Sequence, residues 1–450
     1  MTLAVELRSV PDPLDACARL TGLPHLVFLD SSSRGALGRY SFLTADPIAV
    51  TGGGGDPLEA ARALLAPHLR APRPDLPPFQ GGIAGYVGYD WGAEQERVRR
   101  PASTAPDIPD AALALYDWVI AWDHEARRCW IIAWSQGRLG WVQGLLTREN
   151  HGAVLDRPGP SSTVLESNFT RRDYEAGVAK IRDYIAAGDV YQVNLAQRFQ
   201  TEFTGSPLEL YRRLRARSPA PFGAYLALGS LSITSISPER FLRLDAATRE
   251  AQARPIKGTR PRGATAAEDA ALAETLTTSL KDRAENVMIV DLLRNDLGKV
   301  CRPGSVHVPE LFALESHPTV HHLVSTVTGV LAEGVDAFDL LRAAFPGGSV
   351  TGAPKIRAME IIAELERAPR GVYCGAIGYV SATGAMDMNI PIRTIVVHDG
   401  MASLHAGAGI VWDSDPAAEY DETLAKARAL IDSLTQPNRD RVVTPSMSRG

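Results

Sequence analysis

The sequence of 450 residues has no uninterrupted apolar run that approaches the roughly 20 residues needed for a membrane-spanning helix. Its N-terminal segment carries charges at Glu6 and Arg8 and lacks a continuous apolar core, so it is not typical of a signal peptide. Cysteine is scarce and never occurs with CxxC spacing, which argues against a zinc site and a disulfide framework. The cysteines are Cys17, Cys129, Cys301 and Cys374. We therefore expect a cytoplasmic protein with no membrane association.

An excess of basic residues is also missing, because the formal net charge is −5 and the sequence pI is about 6.1. Nucleic acids and anionic membranes bind strongly basic surfaces, so neither is expected as a partner. With 45% hydrophobic and 22% charged residues, the composition is that of an ordinary globular chain. A small, freely diffusing substrate fits this composition better.

The run 347–355 lacks the Gly-Lys-Ser/Thr ending of a phosphate-binding P-loop, because Ala353 and Pro354 precede Lys355. Pro354 instead predicts the first turn of a helix. The N-terminus of that helix, near Ser349, would face the negative charge of a ligand.

Short apolar runs separated by glycines predict a strand-rich first region from Leu26 to about Trp141. The Pro/Ser/Gly-rich stretch 157–163 is typical of a linker. We therefore divide the chain into a β-rich N-terminal region, a linker, a larger C-terminal domain and a polar tail that is predicted to be disordered. Their bounds are 1–156, 157–165, 166–436 and 437–450.

In the C-terminal domain, helical and strand-like segments occur in blocks without regular βαβ alternation, which favours an α+β fold with antiparallel sheets. Thr170 and Asp173 resemble the start of a helix. Helices are predicted at 170–187, 266–280, 281–295, 337–345, 353–366 and 416–434. Strands are predicted at 224–228, 231–235, 390–397 and 401–404.

Lys257 lies in a segment that restricts its backbone. Pro255 fixes its own φ and Gly258 can adopt a positive φ, so we predict a constrained turn around the lysine. A lysine held this way is a candidate nucleophile, provided that burial or a neighbouring cation lowers its pKa from the ordinary value of about 10.4. The alternative is a solvated loop lysine.

Carboxylates on two predicted helices need a cation. Asp415 is the predicted N-cap of a helix on which Glu419, Glu422 and Lys426 form one stripe. This stripe is either part of a site or a solvated face. On the helix that starts near Lys281, Glu285 points along an apolar face.

A carboxylate on an apolar face should be protonated, paired or bound to a metal. Arg283 and Arg294 are the candidate ion-pair partners of Glu285. Oxygen ligands without histidine or cysteine nearby suit magnesium.

Three other features are candidates for ligand binding. Arg393, in the predicted strand 390–397, suits bidentate recognition of a carboxylate, although most strand arginines face water. The glycine-containing loop 405–409 is either an anion-binding nest or a tight turn. His321 and His322 must point to opposite sides of a short strand, so one of them should face inward, as a core group or as a catalyst.

These segments resemble, in order, the component I family of aminodeoxychorismate synthases, which use chorismate. The most informative match is Pro-Ile-Lys-Gly-Thr at 255–259. The other matching segments are 188–195, 237–241, 281–296, 321–325, 345–355 and 413–426. The resemblance extends from about Leu29 to about Lys426, and it implies large antiparallel β-sheets packed as a sandwich with flanking helices.

The resemblance also implies catalytic roles. Lys257 would attack C2 of chorismate while Glu239 protonates the departing C4 hydroxyl, unless Glu239 merely pairs with Arg240. His322 would position the ring or the hydroxyl. Ammonia would then add at C4, giving 4-amino-4-deoxychorismate on the route to 4-aminobenzoate and folate, and domain 166–436 would be the chorismate-binding catalytic domain.

The same resemblance implies the binding groups. Glu285 and Glu422, with Glu419 beside them, match the family's Mg²⁺ ligands, and the ion would hold a carboxylate of chorismate. The positions implied to contact the substrate are Ser349, Tyr373, Arg393, Gly407, Gly409 and Lys426.

Three alternatives remain. Anthranilate synthase component I is similar over most of the chain but has alanine at the position of Lys257, so that ammonia attacks C2 directly. Isochorismate and salicylate synthases have a water-activating lysine at the position of Gln192, and a neutral amide cannot act as that base. A catalytically silent homologue that serves as a binding or scaffold subunit is an alternative of a different class.

Two partners follow from the resemblance. Cys374 lacks the Gly-x-Cys-x-Gly elbow of a glutaminase, so ammonia is expected from a separate glutamine amidotransferase subunit, component II. Asp30 and its surroundings resemble the elements that bind tryptophan in this superfamily, the alternative being an ordinary polar pocket. The candidate tryptophan-site residues are Ser31, Arg39, Tyr40, Tyr191, Asn194, Pro221 and Phe222.

Overall fold

Two antiparallel β-sheets form the frame of the chain in a computed structural model that describes residues 2–35, 37–52, 54–101, 108–147, 165–317 and 320–435. The strands are Leu3–Glu6 (β1), Leu26–Asp30 (β2), Tyr40–Thr44 (β3), Ala49–Val50 (β4), Gly82–Val87 (β5), Ala111–Tyr116 (β6), Trp118–Asp123 (β7), Arg128–Ala133 (β8), Glu166–Ser167 (β9), Gln192–Glu202 (β10), Phe222–Leu228 (β11), Leu231–Ser237 (β12), Arg240–Leu244 (β13), Glu250–Ala253 (β14), Ile256–Pro261 (β15), His307–Ser316 (β16), Val320–Val330 (β17), Gly352–Ala353 (β18), Ala376–Ser381 (β19), Met386–Asn389 (β20), Thr394–His398 (β21) and Met401–Ile410 (β22).

The α-helices of the described ranges are Pro13–Arg19 (α1), Pro57–Leu65 (α2), Tyr89–Gln95 (α3), Gln136–Thr147 (α4), Arg171–Ala186 (α5), Pro207–Arg217 (α6), Ala266–Thr278 (α7), Leu280–Gly298 (α8), Ala337–Ala344 (α9), Lys355–Leu365 (α10) and Pro416–Thr435 (α11). Short 3₁₀ helices span Ala66–His68 and Gly348–Val350. In this part of the chain, no helix is both long enough and apolar enough to cross a membrane.

Within the described residues, the larger sheet has twelve strands in the order β1-β8-β7-β3-β2-β11-β12-β21-β22-β10-β18, with β9 beside β10. The smaller sheet has ten strands in the same part of the chain, in the order β15-β17-β14-β13-β20-β19-β5-β6-β4, with β16 beside β17. Neighbouring strands pair antiparallel in both sheets, as between β10 and β22 and between β15 and β17. The predicted α+β class with antiparallel sheets is confirmed.

The two sheets pack face to face and helices cover their outer sides. One buried cluster combines Val27 and Val396 of the larger sheet with Tyr86, Tyr116 and Ile377 of the smaller sheet, so it lies between them. A second cluster joins α2, α8, α9 and α10 to the smaller sheet, and a third joins α1, α4, α6 and α11 to the larger sheet. This is the predicted sandwich with flanking helices, stabilised mainly by the apolar area removed from water.

Strands from both sides of the predicted domain boundary share both sheets. In the larger sheet β2 pairs with β11, and in the smaller sheet β5 pairs with β19. Regions 1–156 and 166–436 therefore contribute strands to the same two sheets. The predicted linker lies, except for Leu165, outside the described residues, as does the tail 437–450, so both stay predictions.

Local sequence signals fix several helix starts. Thr170 Oγ1 accepts the backbone N–H of Asp173 at 3.1 Å before α5, and a carboxylate oxygen of Asp415 accepts that of Ala418 at 2.9 Å before α11. The predicted helices are confirmed to within a few residues of their bounds.

Two strand predictions are wrong in extent. Strand β21 starts at Thr394 rather than at residue 390, because Arg393 has a φ of +52° that interrupts the extended backbone. Strand β22 continues to Ile410 through the segment predicted to be a loop.

Candidate active site

A cavity of about 580 Å³ lies where β10, β15, β17 and β22 approach α8 and α11. It collects side chains that are far apart in the sequence. The candidate catalytic, substrate-contacting and metal-binding residues that line it are Glu239, Lys257, Glu285, His322, Ser349, Tyr373, Arg393, Gly407, Gly409, Glu419, Glu422 and Lys426. The structure thus brings all twelve to one cavity.

Lys257 lies in a strand rather than in the predicted turn. It belongs to β15, whose register against β17 shifts between Ile256 and Thr259, so Lys257 occupies a β-bulge. Gly258 has a φ of +86°, and a Cβ there would stand 2.9 Å from a methyl of Leu276. The bulge therefore requires glycine, and the restricted backbone expected around the lysine comes from the ladder.

The surroundings of the Lys257 amine fix its position and lower its pKa. Nζ donates a hydrogen bond to the backbone carbonyl of Ser349 at 3.1 Å, and no carboxylate of the described residues lies within ion-pair distance of it. Burial lowers its pKa, which Glu285 and Glu239 oppose because their negative charge favours the ammonium form. A larger fraction of free amine at neutral pH follows.

Glu239 faces the same space from the segment before β13. It is 6% exposed, and one carboxylate oxygen accepts the Ser349 hydroxyl at 2.9 Å. Burial raises its pKa, while the hydrogen bond from Ser349 and the charge of Lys257 act in the opposite direction. The alternative ion pair is excluded, because Arg240 binds Asp387 at 2.9 Å instead. Such a carboxyl group is suited to proton transfer.

His322 and His321 are both buried, whereas only one was expected to face inward. His322 lines the cavity with Nδ1 2.9 Å from the hydroxyl of Thr259, and burial lowers its pKa to about 4. His321 lies on the opposite side, where its Nε2 is 2.9 Å from Asp269 of α7. Helix α7 covers the far side of the strand, and His322 enters the cavity as a neutral ring.

The three candidate metal ligands differ in their partners. Glu285 is 4.0 Å from Lys281, Glu419 accepts the Ser414 hydroxyl at 2.6 Å, and Glu422 pairs with Lys426 at 2.7 Å. Burial raises the pKa of Glu285 and of Glu419, and the charge of Glu422 adds to both effects. Neither of the two arginines expected as ion-pair partners of Glu285, Arg283 and Arg294, pairs with it.

Arg294 instead pairs with Asp291, and Arg283 stacks over Phe312. Among the described residues, no three acidic, histidine or cysteine side chains are close enough together to hold a metal ion by themselves. The carboxylates suit Mg²⁺ in donor chemistry, and a further oxygen ligand is needed to complete a site.

Arg393 is the clearest anion-binding group. It precedes β21, lines the cavity, and has no acidic partner within ion-pair distance in the described part of the chain. Burial lowers its pKa. A partly buried guanidinium without a counter-ion costs free energy, so this position favours an anionic ligand.

Gly407 and Gly409 lie within β22, so the segment 405–409 is neither the predicted nest nor a tight turn. A Cβ at Gly409 would stand 2.1 Å from Nε2 of Gln192, and one at Gly407 would stand 2.5 Å from Oδ1 of Asn194. These glycines leave room for two amide side chains of β10. The backbone carbonyl of Gly407 accepts a hydrogen bond from Lys426 at 3.0 Å.

The run 347–355 divides between two environments. Ser349 lines the cavity, but Lys355, at the start of α10, is buried against Asp296 at 2.7 Å and against the carbonyl of Ala344. The predicted helix start is close to correct. Neither Pro354 nor Lys355 lines the cavity, so the expectation that this helix end faces the ligand is not met.

Comparison of this chain with known proteins shows the family to which it belongs. A model of the chorismate binding enzymes matches residues 36–432, most of the chain. The chain belongs to the chorismate-binding enzyme family. It is a chorismate-utilising enzyme.

Relatives of two kinds are close. Aminodeoxychorismate synthase component 1 of Klebsiella aerogenes is 45% identical over 384 residues, which cover 84% of this chain and 83% of that one. Anthranilate synthase component 1 of Streptomyces coelicolor is 42% identical over 443 residues, covering 94% and 86%. The crystal structure of anthranilate synthase component I from Streptococcus pneumoniae superposes with a TM-score of 0.77 at 33% identity, covering 89% of this chain and 93% of that one.

This chorismate-binding enzyme has two cavity residues that the sequence analysis did not assign to the active site. They are Lys281 and Asn194, which had been placed in a different site. The signal for Asn194 was its period-2 spacing from Gln192, which puts both side chains on one face of β10, because the resemblance had matched Gln192 to a catalytic lysine of related enzymes.

A second cavity, of about 610 Å³, contains most of the candidate tryptophan site. Ser31, Arg39, Tyr40, Pro221 and Phe222 line it. Whether tryptophan binds there stays a prediction.

Two members of that candidate set lie elsewhere. Tyr191 is 71% exposed at the surface and Asn194 lines the first cavity, so the structure does not bring these two residues to the second cavity. Tyr191 precedes β10, whereas Asn194 lies within it. The Asp30 carboxylate binds Arg215 at 2.6 Å and the Tyr211 hydroxyl at 2.9 Å.

Proposed function

We propose that this enzyme is an aminodeoxychorismate synthase component I, which converts chorismate and ammonia to 4-amino-4-deoxychorismate through a covalent adduct on Lys257. One observation carries the proposal. A lysine amine whose pKa is lowered by burial faces a cavity that also holds Arg393, which has no ion-pair partner among the described residues, and the carboxyl group of Glu239. Anthranilate synthases, by the sequence resemblance, have alanine at this position.

The first displacement uses three groups of this chain. The Nζ lone pair of Lys257 forms a bond to C2 of chorismate, the two ring double bonds shift, and the C4–O bond breaks. Glu239 gives its proton to the leaving hydroxyl, which departs as water, and the proton released from Nζ restores Glu239. The backbone carbonyl and hydroxyl of Ser349 bind Lys257 and Glu239 respectively, so one residue sets the position of both.

Chorismate is a dianion, and the cavity offers separate places for its carboxylates. Arg393 is the proposed ligand of one of them. Glu285 and Glu422, with Glu419 beside them, are the proposed protein ligands of Mg²⁺, which would bind the second carboxylate and neutralise its charge. His322, being neutral, is proposed to orient the ring or the leaving hydroxyl by hydrogen bonding.

Ammonia is proposed to come from a glutamine amidotransferase subunit. The relatives named component 1 imply a second component. The segment around Cys374 lacks a glutaminase elbow, and this thiol is fully buried with a pKa that burial raises to about 12. A thiol of that kind is inert as a nucleophile.

Anthranilate synthase component I is the second candidate, because a relative of that name aligns over 94% of the chain. Lys257 is the residue that favours the first candidate. A catalytically silent scaffold subunit is the alternative of a different class, and the uncompensated charges in the cavity argue against it.

The test is a product analysis. The purified protein is incubated with chorismate, Mg²⁺ and an ammonium salt, with and without an added 4-amino-4-deoxychorismate lyase. We expect 4-aminobenzoate only when the lyase is present. Anthranilate as the main product would support the second candidate, and no consumption of chorismate would support the scaffold.

A further inference from the structure

A buried ion pair lies just outside the active-site cavity. Glu366, at the end of α10, and Arg370 are 5% and 2% exposed, and neither of them lines the cavity. Arg370 donates two parallel hydrogen bonds to Glu366, from Nε to Oε2 at 2.9 Å and from Nη2 to Oε1 at 2.6 Å. No step of the proposed reaction uses either residue, so the presence of this pair needs an explanation of its own.

Stability alone is a poor explanation for a buried ion pair. Removing two charges from water costs free energy that their mutual attraction only partly returns, and apolar side chains of similar volume can often replace such a pair without loss of stability. A guanidinium differs from an apolar side chain because it presents several N–H groups in one fixed plane. The partners of the N–H groups that do not bind Glu366 therefore indicate the role of the pair.

The ion pair binds backbone groups next to the active site. Nη1 of Arg370 donates to the carbonyl of Val350 at 2.8 Å, and Nη2 donates to the carbonyl of Asn194 at 2.8 Å. Oε1 of Glu366 accepts the backbone N–H of Ala196 at 2.8 Å. The pair thus joins strand β10 to the 3₁₀ helix that ends at Val350.

The same 3₁₀ helix carries Ser349, which contacts both proposed reacting groups. The carbonyl of Ser349 accepts Nζ of Lys257 at 3.1 Å, and its hydroxyl donates to Glu239 at 2.9 Å. The carbonyls of Ser349 and Val350 belong to two rigid peptide planes that share the Cα of Val350, so a shift of one plane displaces the other. Arg370 therefore holds the backbone at the residue next to the one that binds the amine and the carboxyl group.

Aromatic contacts hold the guanidinium itself. Its central carbon lies 4.6 Å from the ring centroid of Tyr89 and 5.8 Å from that of Tyr373, a residue that lines the cavity. The backbone N–H of Tyr373 also donates to the carbonyl of Arg370 at 3.1 Å. Cations are attracted to the faces of aromatic rings, so these contacts add to the two bonds with Glu366 in fixing the orientation of the guanidinium.

We propose that the Glu366–Arg370 ion pair positions Ser349 for the first displacement, an inference that rests on the proposed function. Glu366 fixes the plane of the guanidinium, and the guanidinium fixes the carbonyl of the residue after Ser349. Both members of the pair act through Ser349, since they lie outside the cavity. A misplacement of about 1 Å can cost about a hundredfold in rate. The pair should therefore affect the rate of adduct formation and not the binding of chorismate.

Single-turnover kinetics test the proposal on the step that the pair serves. Enzyme is mixed with chorismate and Mg²⁺ without ammonia, and adduct formation is followed by intact-protein mass spectrometry over a range of chorismate concentrations. The first variant, Arg370→Lys, keeps the charge of the pair, but one amine cannot reproduce the planar set of bonds that a guanidinium makes. The second variant combines Glu366→Gln with Arg370→Met, which removes both charges and keeps an oxygen acceptor for the N–H of Ala196.

The matched control removes an ion pair elsewhere in the protein. Arg138 of α4 pairs with Asp117 at 2.8 Å, and neither residue lines the active-site cavity or the second cavity. The control variant combines Asp117→Asn with Arg138→Met. Thermal unfolding of every variant is measured beside the kinetics, because a role in stability alone would lower the melting temperature and leave the rate of the folded enzyme unchanged.

We expect the limiting rate of adduct formation to fall by about tenfold to a hundredfold in both variants of the pair, with the half-maximal chorismate concentration within about threefold of wild type. The double variant Glu366→Gln with Arg370→Met should unfold close to the wild-type temperature, because it leaves no buried charge without a partner. The control variant should form the adduct at the wild-type rate.

A wild-type limiting rate in the double variant would overturn the proposal. So would a raised half-maximal chorismate concentration at an unchanged limiting rate, which would assign the pair to substrate binding. If the double variant does not fold, the rate of Arg370→Lys decides in its place, and failure of both to fold would assign the pair to stability and overturn the proposal. A wild-type enzyme that uses chorismate and ammonia but forms no adduct would instead overturn the proposed function, and this inference with it.

Discussion

The two large cavities of this chain have similar volumes, about 580 and 610 Å³, but they differ in how their charged side chains are partnered. In the second cavity, Arg39 pairs with Asp123 at 2.7 Å and Arg240 pairs with Asp387 at 2.9 Å. Asp30 is satisfied by Arg215. These charged side chains of the second cavity are therefore neutralised by ion pairs within the protein.

The active-site cavity is different. It also contains ion pairs, Glu422 with Lys426 and Arg260 with Asp282, each at 2.7 Å. Lys257 and Arg393, however, have no carboxylate at ion-pair distance among the residues described, and Glu285 has only Lys281 at 4.0 Å. Unpaired charge at low exposure costs free energy, so it persists where a ligand supplies the counter-charge. The two cavities therefore differ little in volume. What distinguishes the proposed active site is that some of its charged side chains have no ion-pair partner in the described part of the protein.

Removing the proposed nucleophile of the active-site cavity should have the largest effect on catalysis. Lys257→Ala is expected to lower kcat/KM for 4-amino-4-deoxychorismate by on the order of a thousandfold or more, because no other amine of the cavity replaces it. Steady-state product formation with a coupled lyase measures this. The control is Lys299→Ala, an exposed lysine paired with Asp296, which should stay within about twofold of wild type. A Lys257→Ala enzyme with wild-type turnover would contradict the assignment.

The proposed acid should come next. Glu239→Gln is expected to lower kcat by about a hundredfold, since general acid catalysis contributes about 10² to 10⁴. Its pH profile is the sharper measurement. Burial raises the pKa of Glu239 and lowers that of Lys257, so wild-type activity should rise with pH as the amine loses its proton and fall as Glu239 loses its own.

The glutamine variant should lose the alkaline fall and keep the acidic rise. A variant that retains both limbs would show that another group supplies the proton.

Neutralising the unpaired arginine should affect binding. Arg393→Gln is expected to raise the KM for chorismate by about tenfold to a hundredfold, the cost of about 1.5 to 3 kcal/mol for a hydrogen bond to a charged group. The fold should tolerate the change, because no carboxylate of the described residues loses an ion-pair partner when this guanidinium is removed. Initial rates over a range of chorismate concentrations measure this. A lowered melting temperature with unchanged KM would assign Arg393 to structure.

The smallest effect on catalysis is expected in the second cavity. Arg240→Gln leaves Asp387 without its partner, so the free energy of unfolding should fall by about 1 to 3 kcal/mol, with kcat/KM within about twofold of wild type. Thermal unfolding and initial rates together test this. If Arg240→Gln lowered turnover as strongly as Arg393→Gln, the contrast between the cavities would fail.

Much of the fold was accessible from the sequence because its signals are local. Thr170 and Asp415 cap their helices by hydrogen bonds to the next turn, which spacing reveals directly. The positions of the candidate site came from matching motifs, and all twelve reach one cavity. Neither required knowledge of the pairing between distant strands.

The errors arose where distant segments decide the structure. The bulge at Lys257 depends on the register of β15 against β17, and the extension of β22 depends on its pairing with β10. His321 is buried because Asp269 of α7 faces it. Tyr191 is exposed before β10 and Asn194 lines the active-site cavity, so one motif did not supply both to one pocket. No local pattern encodes these contacts.

The most direct test of the account is a mass measurement on the enzyme itself. The protein is incubated with chorismate and Mg²⁺ without ammonia, and its intact mass and proteolytic peptides are determined. We expect a species heavier by one chorismate less one water, located on the peptide that contains Lys257 and absent from Lys257→Ala. A wild-type enzyme that turns over chorismate when ammonia is added, but carries no such mass without it, would contradict the covalent mechanism.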